Sequence, residues 1–218
     1  MEIYFITYNI FFWGDFMDKY ELYHIHKNDG HNKLWEENKI IKVSDNFKSN
    51  MAKRYNDFST CIKLESGMEI NFYDYMLCLV GTGEIFTLNK NEIMALSDRA
   101  YQISYYANFF KRESALEKYR LDKFNSLPSR LHSVYLTDED GIGYWTEILG
   151  GNDYSLFRVE ATGNIFKTNE ELLPNEVLSY ADVYDNSYNY WHPKFNKLSK
   201  YKNEYLVQGC VKVLEKIR

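Results

Sequence analysis

A long stretch without glycine or proline, residues 91–124, limits the folds open to this chain more than any other feature. Its apolar residues return every three to four positions, which is the spacing of one face of an α-helix. Pro128 disfavours helical backbone at Leu127, so the helical region ends before this pair. We therefore predict a long helix here, and we expect its aromatic stripe of Tyr101, Tyr105 and Phe109 to pack in the core.

Runs of alternating or apolar residues on both sides of this region predict β-strands. They are residues 20–25, 40–43 and 131–136, a bent strand or strand pair at 154–161, and a terminal pair, 204–207 and 211–214, around Gly209. Shorter helices are expected at 142–149 and within 175–191. Because long helices precede most of the strands, the order favours an α+β fold over alternating βαβ units.

The chain reads as one domain, residues 17–218, because no repeat and no Pro/Gly/Ser-rich linker divides it. Residues 1–16 are apolar, yet they lack the basic N-terminal residues of a signal peptide. They also fall short of the roughly 20 residues that span a membrane. Met17 offers a second start, so we expect residues 1–16 to be an N-terminal extension or a peripheral strand.

The net charge and the cysteine content argue against several classes of function. A net charge of −5 disfavours loose electrostatic binding to nucleic acid, which needs clustered Lys and Arg. The 3 cysteines are an odd number without C-x-x-C spacing, so they predict neither a disulfide framework nor a zinc site. We expect a cytoplasmic protein without a membrane partner.

Three apolar segments each carry one residue whose side chain could take part in catalysis or ligand binding. The first is Leu22-Tyr23-His24-Ile25, the second runs from Arg130 through Val134-Tyr135-Leu136-Thr137, and the third is Asn203-Glu204-Tyr205-Leu206-Val207. In order and context they resemble the His-Tyr-Glu group of ADP-ribosyltransferases. Residues 114–145, with Leu127-Pro128-Ser129-Arg130 and Tyr144-Trp145, are also similar to a bacterial family, domain of unknown function 2441, and this likeness extends over most of the chain from about Met17.

The resemblance implies a split, mostly antiparallel β-core with the helical region on one side and a cleft that holds NAD as a substrate, without a metal. It implies that Glu204 is catalytic, since a carboxylate facing an oxocarbenium-like state lowers the barrier to breaking the nicotinamide–ribose bond. It implies that His24 binds a ribose hydroxyl and that Tyr135 packs on nicotinamide. Arg130 could meet the pyrophosphate through its guanidinium, although the motif does not assign that role.

The implied function is transfer of ADP-ribose from NAD to a macromolecular acceptor, protein or nucleic acid, in a bacterial toxin or phage-defence effector that an inhibitor protein could control. An NAD glycohydrolase would use the same residues with water as acceptor. A third class is a catalytically inactive binding module of the same fold. Lys202 and Asn203 favour it, because active transferases often carry an acidic residue or Gln just before the final Glu.

Three other groups of residues match known site motifs less well. His24 and His26 share a strand face and lie near His31, but the spacing matches no common metal motif. Gly81-Thr82-Gly83 lacks the lysine of a phosphate loop and is predicted to connect a hairpin. Glu170 and Glu171 are adjacent carboxylates of a polar loop and are expected to be solvated.

Overall fold

The computed structural model describes residues 19–28, 34–64, 66–151 and 153–218. The expectation for residues 1–16 and the histidine at position 31 lie outside these ranges. Strands are β1 (Tyr20–Lys27), β2 (Ile40–Val43), β3 (Cys61–Lys63), β4 (Glu69–Asn71), β5 (Val134–Leu136), β6 (Tyr154–Asn169) and β7 (Asn203–Lys216). Helices are α1 (Asn50–Asp57), α2 (Phe72–Thr82), α3 (Lys90–Lys123), α4 (Ile142–Trp145), α5 (Tyr180–Asn186) and α6 (Tyr188–Trp191).

The main sheet is antiparallel and curls into a half-barrel. Its strand order is β1-β6-β7-β2, and β5 pairs with the first half of β7. A bridge between Tyr23 and Thr137 links β1 to the end of β5. β3 and β4 form a separate hairpin. Mixed helix and strand with an antiparallel sheet confirms the α+β prediction at this level.

Two glycines let the longest strands approach each other closely. Gly163 of β6 lies opposite Gly209 of β7, and a Cβ on Gly163 would lie 2.7 Å from the Gln208 carbonyl oxygen. Gly209 was expected to separate two terminal strands, and that expectation is wrong: β7 continues through it. The signal was misread because a glycine that admits a neighbouring backbone and a glycine that makes a turn look alike in sequence.

The long helix is confirmed as α3. It begins at a capping box, in which the Asn89 side chain accepts from the Glu92 N–H and the Glu92 carboxylate accepts from the Asn89 N–H. Its C-terminal half is the buried half, with Ala115 and Leu116 enclosed. The N-terminal half is largely exposed, so the core position predicted for the aromatic stripe is wrong for Tyr101 and Tyr105, which are 70% and 42% exposed.

The segment before α3 also differs from expectation. Gly83 ends α2 in the left-handed region, at φ 78°, and residues 84–87 continue as a short 3-10 turn, so no hairpin forms there. The helix expected at 142–149 is present as α4 extended by one wide turn, Thr146–Gly150.

Two of the three apolar clusters among the described residues lie on opposite faces of the sheet. On one face the core contains Trp35, Leu136, Phe157 and Tyr205. On the other face Leu206 packs with Leu116 of α3 and with Tyr190 and Trp191 of α6. Successive residues of a strand point to opposite faces, so each candidate residue can be assigned to one of these cores.

Candidate functional site

Glu204 is enclosed on the α3 side of the sheet and is only 4% exposed. Its Oε1 accepts hydrogen bonds from Arg130 Nη1 at 2.9 Å and from the Tyr190 hydroxyl at 2.6 Å. Arg130 Nη1 also contacts the Tyr190 hydroxyl. The carboxylate expected to face a substrate is therefore held by two side chains of the protein.

Arg130 is shared between two acids. Its Nε donates to Glu113 Oε2 at 2.7 Å, opposite the bond to Glu204, and Glu113 is 1% exposed. Burial alone lowers the pKa of Arg130, but the facing carboxylates of Glu113 and Glu204 outweigh it and raise the pKa well above its ordinary value. Arg112 donates to the same Glu113 carboxylate and also to Glu176, so Glu113 contacts two cations. We call Glu113, Arg130, Tyr190 and Glu204 the buried ion cluster.

Tyr135 lies on the same face as the buried ion cluster. It is paired with Leu206, and opposed residues of antiparallel strands share a face. Its hydroxyl donates to the Arg130 carbonyl oxygen at 2.9 Å, and the Arg130 guanidinium lies 5.4 Å from the centre of its ring. The structure thus brings Tyr135, Arg130 and Glu204 together, as a packed cluster and not as the walls of a cleft.

His24 lies on the opposite face. It is paired with Phe157, which belongs to the Trp35 core, and its ring stacks on Trp35 with centroids 3.6 Å apart. Its Nδ1 lies 3.1 Å from the Tyr135 carbonyl oxygen. A carbonyl can only accept, so Nδ1 carries the proton. Burial lowers the pKa of His24 to about 3, and the ring is neutral.

These positions correct the expected geometry. The sequence analysis placed His24, Tyr135 and Glu204 around one ribose, but the sheet lies between His24 and the other two residues. Arg130 was expected to meet a pyrophosphate, and all its hydrogen bonds described above go to the protein. Both of these hydrogen bonds go to Oε1 of Glu204, and at 4% exposure the residue has little surface left for a sugar.

A polar groove of about 460 Å³ opens beside the C-terminal part of α3. Its polar lining includes Asp45, Arg120, Asn125, His132, Asn164 and Gln208. Arg120 is occupied by the Glu117 carboxylate and by two backbone carbonyls. Asp45 adds a formal negative charge, which disfavours a pyrophosphate in this groove.

The other candidate sites can be compared with the described residues. No group of three His, Cys, Asp or Glu residues that could hold a metal occurs in the part of the chain that the structure describes. Glu170 was expected to be solvated, but it accepts a hydrogen bond from the Tyr144 hydroxyl. Within the same ranges, no helix is long and apolar enough to cross a membrane.

Two residues of the buried ion cluster escaped the sequence analysis, Glu113 and Tyr190. Glu113 did leave a signal, because it shares the apolar face of α3 with Leu116 and Arg120 at three- and four-residue spacing. Charged residues on a core-facing helix stripe predict a buried ion pair. Nothing in the sequence distinguishes Tyr190 from the other tyrosines of the chain, which has 20.

Comparison with known proteins gives a family and no activity. No curated protein matches the chain. Residues 22–218 match the family described as protein of unknown function (DUF2441), which covers the strands and helices that build both cores. The chain therefore belongs to the DUF2441 family.

Proposed function

We propose that this chain is a protein-binding module in which Glu204 stabilises the core instead of transferring ADP-ribose. The observation that carries the proposal is the enclosed Glu204 carboxylate, bonded to Arg130 and Tyr190. On this proposal the resemblance to ADP-ribosyltransferases extends to the fold and not to the chemistry. The position of His24 across the sheet supports it, since that ring could not share a substrate with Glu204.

The binding surface is the apolar segment, which we define as residues 72–105. It comprises α2, the turn at Glu84–Thr87 and the N-terminal half of α3. Its exposed large side chains are Tyr73, Leu77, Val80, Phe86, Ile93, Met94, Tyr101 and Tyr105. Leu77 is 71% and Phe86 89% exposed. Exposed apolar surface that is concentrated in one stretch of a chain favours a protein–protein contact there.

The catalytic alternative is tested with labelled NAD. The purified full chain is incubated with labelled NAD and total cell protein or nucleic acid, and we expect the NAD to remain intact. Label on polymer would support a transferase, and free ADP-ribose would support a glycohydrolase. Loss of either product in Glu204→Gln would then assign the chemistry to that carboxylate and overturn the proposal.

The binding surface is tested by affinity capture from lysate with matched variants. Leu77→Glu places a charge in the apolar segment, whereas Val177→Glu places one at an equally exposed apolar residue, 70% exposed, outside it. We expect protein retained by the wild type and by Val177→Glu to be lost from Leu77→Glu. Equal retention by all three would argue against this surface.

A further inference from the structure

The polar groove beside α3 lies where the two longest strands come closest. Asn164 of β6 and Gln208 of β7 are paired partners that both line the groove, and they adjoin the close glycines Gly163 and Gly209. Opposed residues of antiparallel strands share a face, so the two amides lie side by side. At about 460 Å³ the groove has the size of small-molecule sites.

Three side chains of the groove are held through a donor atom. Asn164 Nδ2 donates to a backbone carbonyl oxygen at 2.6 Å, and Gln208 Nε2 donates to Asp45 Oδ1 at a longer 3.4 Å. His132 Nδ1 lies 2.8 Å from another backbone carbonyl oxygen and therefore carries the proton. Carbonyls and carboxylates only accept, so these partners fix which atom of each side chain stays available.

The atoms that stay available are acceptors. They are Asn164 Oδ1, Gln208 Oε1, His132 Nε2 and Asp45 Oδ2, and among the described residues none of them has a hydrogen-bond partner. Asp45 also brings a negative charge, whereas Arg120 in the lining is neutralised by its pair with Glu117. This combination suits a cationic ligand that donates hydrogen bonds.

These acceptors are neighbours in the fold. Gln208 is paired with Asn164 and contacts Asp45. His132 contacts the carbonyl oxygen of Phe47, two residues beyond Asp45. One small ligand in the groove therefore has all of these side chains around it, which is the convergence of polar groups that a binding site requires.

We propose that the groove binds a guanidinium group, carried by a small molecule or by an arginine side chain of a peptide. An ammonium has three donors, whereas a guanidinium has five in one plane and can bond a carboxylate and several other acceptors together. The inference goes beyond the proposed function, because the groove shares no residue with the apolar segment.

The first test is calorimetric titration of the full chain with N-acetyl-arginine amide and N-acetyl-citrulline amide. The citrulline compound keeps the shape and replaces the cation by a neutral urea group. We expect a Kd of about 1 mM or tighter for the arginine compound and binding at least about tenfold weaker for the other. Equal affinities, or no binding of the arginine compound at about 10 mM, would overturn the proposal.

The same titration with agmatine separates the two sources of a guanidinium. Agmatine is a free small molecule without peptide groups. Tighter binding of agmatine than of N-acetyl-arginine amide would assign the groove to a small molecule, and the reverse order would assign it to an arginine side chain of a peptide.

The second test removes the charge of the groove. Asp45 is exposed, so Asp45→Asn should fold as the wild type does, which circular dichroism verifies, and should bind N-acetyl-arginine amide at least about tenfold more weakly. Asp98→Asn is the matched control, since Asp98 is also exposed and lies about 33 Å along α3 from Arg120. It should bind as the wild type does. Equal weakening in both variants would reflect net charge alone and would overturn the site.

The position of the ligand is tested by NMR on the ¹⁵N-labelled chain. We expect N-acetyl-arginine amide to shift the side-chain amide resonances of Asn164 and Gln208, and shifts confined to other residues would overturn the assignment to this groove. None of these outcomes depends on capture through the apolar segment or on turnover of NAD, so the inference and the proposed function can fail separately.

Discussion

The Arg130 guanidinium lies 2.9 Å from the Glu204 carboxylate, and both residues are 4% exposed. With Glu113 on its other side, this arginine connects α3 to β7 across the core. Removing this cation leaves the buried Glu204 carboxylate without a positive partner and leaves Glu113 with Arg112 alone, which costs more than the pair itself contributes.

We therefore predict that Arg130→Met lowers the free energy of unfolding by about 3–5 kcal/mol, measured by urea denaturation. The matched control is Lys202→Met, which removes a half-exposed ion pair with Glu171, 3.5 Å away. It should cost less than about 1 kcal/mol. Similar small losses for both variants would mean that Arg130 is not essential to the core.

Glu204 and Tyr190 should be energetically coupled. Glu204→Gln and Tyr190→Phe are each expected to cost about 1–3 kcal/mol, since each leaves a buried polar partner unsatisfied. The double variant should cost less than the sum, with a coupling of at least about 0.5 kcal/mol in a double-mutant cycle. A carboxylate that faced an open cleft would behave differently, because Glu204→Gln would then leave stability unchanged.

His24 should make stability depend on pH. Its pKa is about 3 in the folded chain against an ordinary value of 6.5, so the unfolded chain binds more protons between these values. The contribution of His24 to the free energy of unfolding is complete above pH 6.5. It declines as the pH falls toward 3, by up to about 1.4 kcal/mol for each pH unit. His24→Phe keeps the ring on Trp35 and removes the titration.

The measurement is the free energy of unfolding at intervals between pH 7 and pH 5, where most carboxylates stay ionised. Wild type should lose stability over this range more steeply than His24→Phe. Parallel curves for the two proteins would show that the imidazole can take up a proton in the folded chain.

Gly163 is predicted to tolerate no side chain. Its φ is 114°, and an added Cβ would lie 2.8 Å from Gly209 Cα and closer still to the Gln208 carbonyl oxygen. Gly163→Ala should therefore destabilise the chain by at least about 2 kcal/mol, measured by thermal or urea unfolding.

The control for this substitution is Gly81→Ala. Gly81 lies inside α2 with no atom within 4 Å of the added Cβ, so alanine should stabilise by up to about 1 kcal/mol. Effects of the same sign for the two glycines would contradict the close approach of β6 and β7.

Local patterns predicted the elements better than their pairing. Apolar spacing and Pro128 located α3 to within a residue at each end, because helix periodicity and breakers are encoded in neighbouring residues. The alternation at 20–25 likewise located β1. Exposure of Tyr101 was missed, since a pattern of apolar residues does not record whether anything packs against it.

The arrangement of the candidate site residues depends on strand pairing, which the sequence did not predict. Whether His24 and Glu204 share a face depends on the register of β1 against β6 and of β6 against β7, and a shift of one residue in either pairing would bring His24 to the other side. No local pattern fixes that register. Burial of Glu204 depends on Arg130 and Tyr190, which are distant in the chain and meet only in the folded protein.

The unbroken course of α3 has a mechanical consequence. Tyr101 and Glu113 lie about 18 Å apart along one helix without proline or glycine between them. Without such a breaker the helix has no site for a sharp kink, so its exposed first half and its buried second half follow one continuous axis. The same element therefore runs from solvent to the two acids that Arg130 contacts.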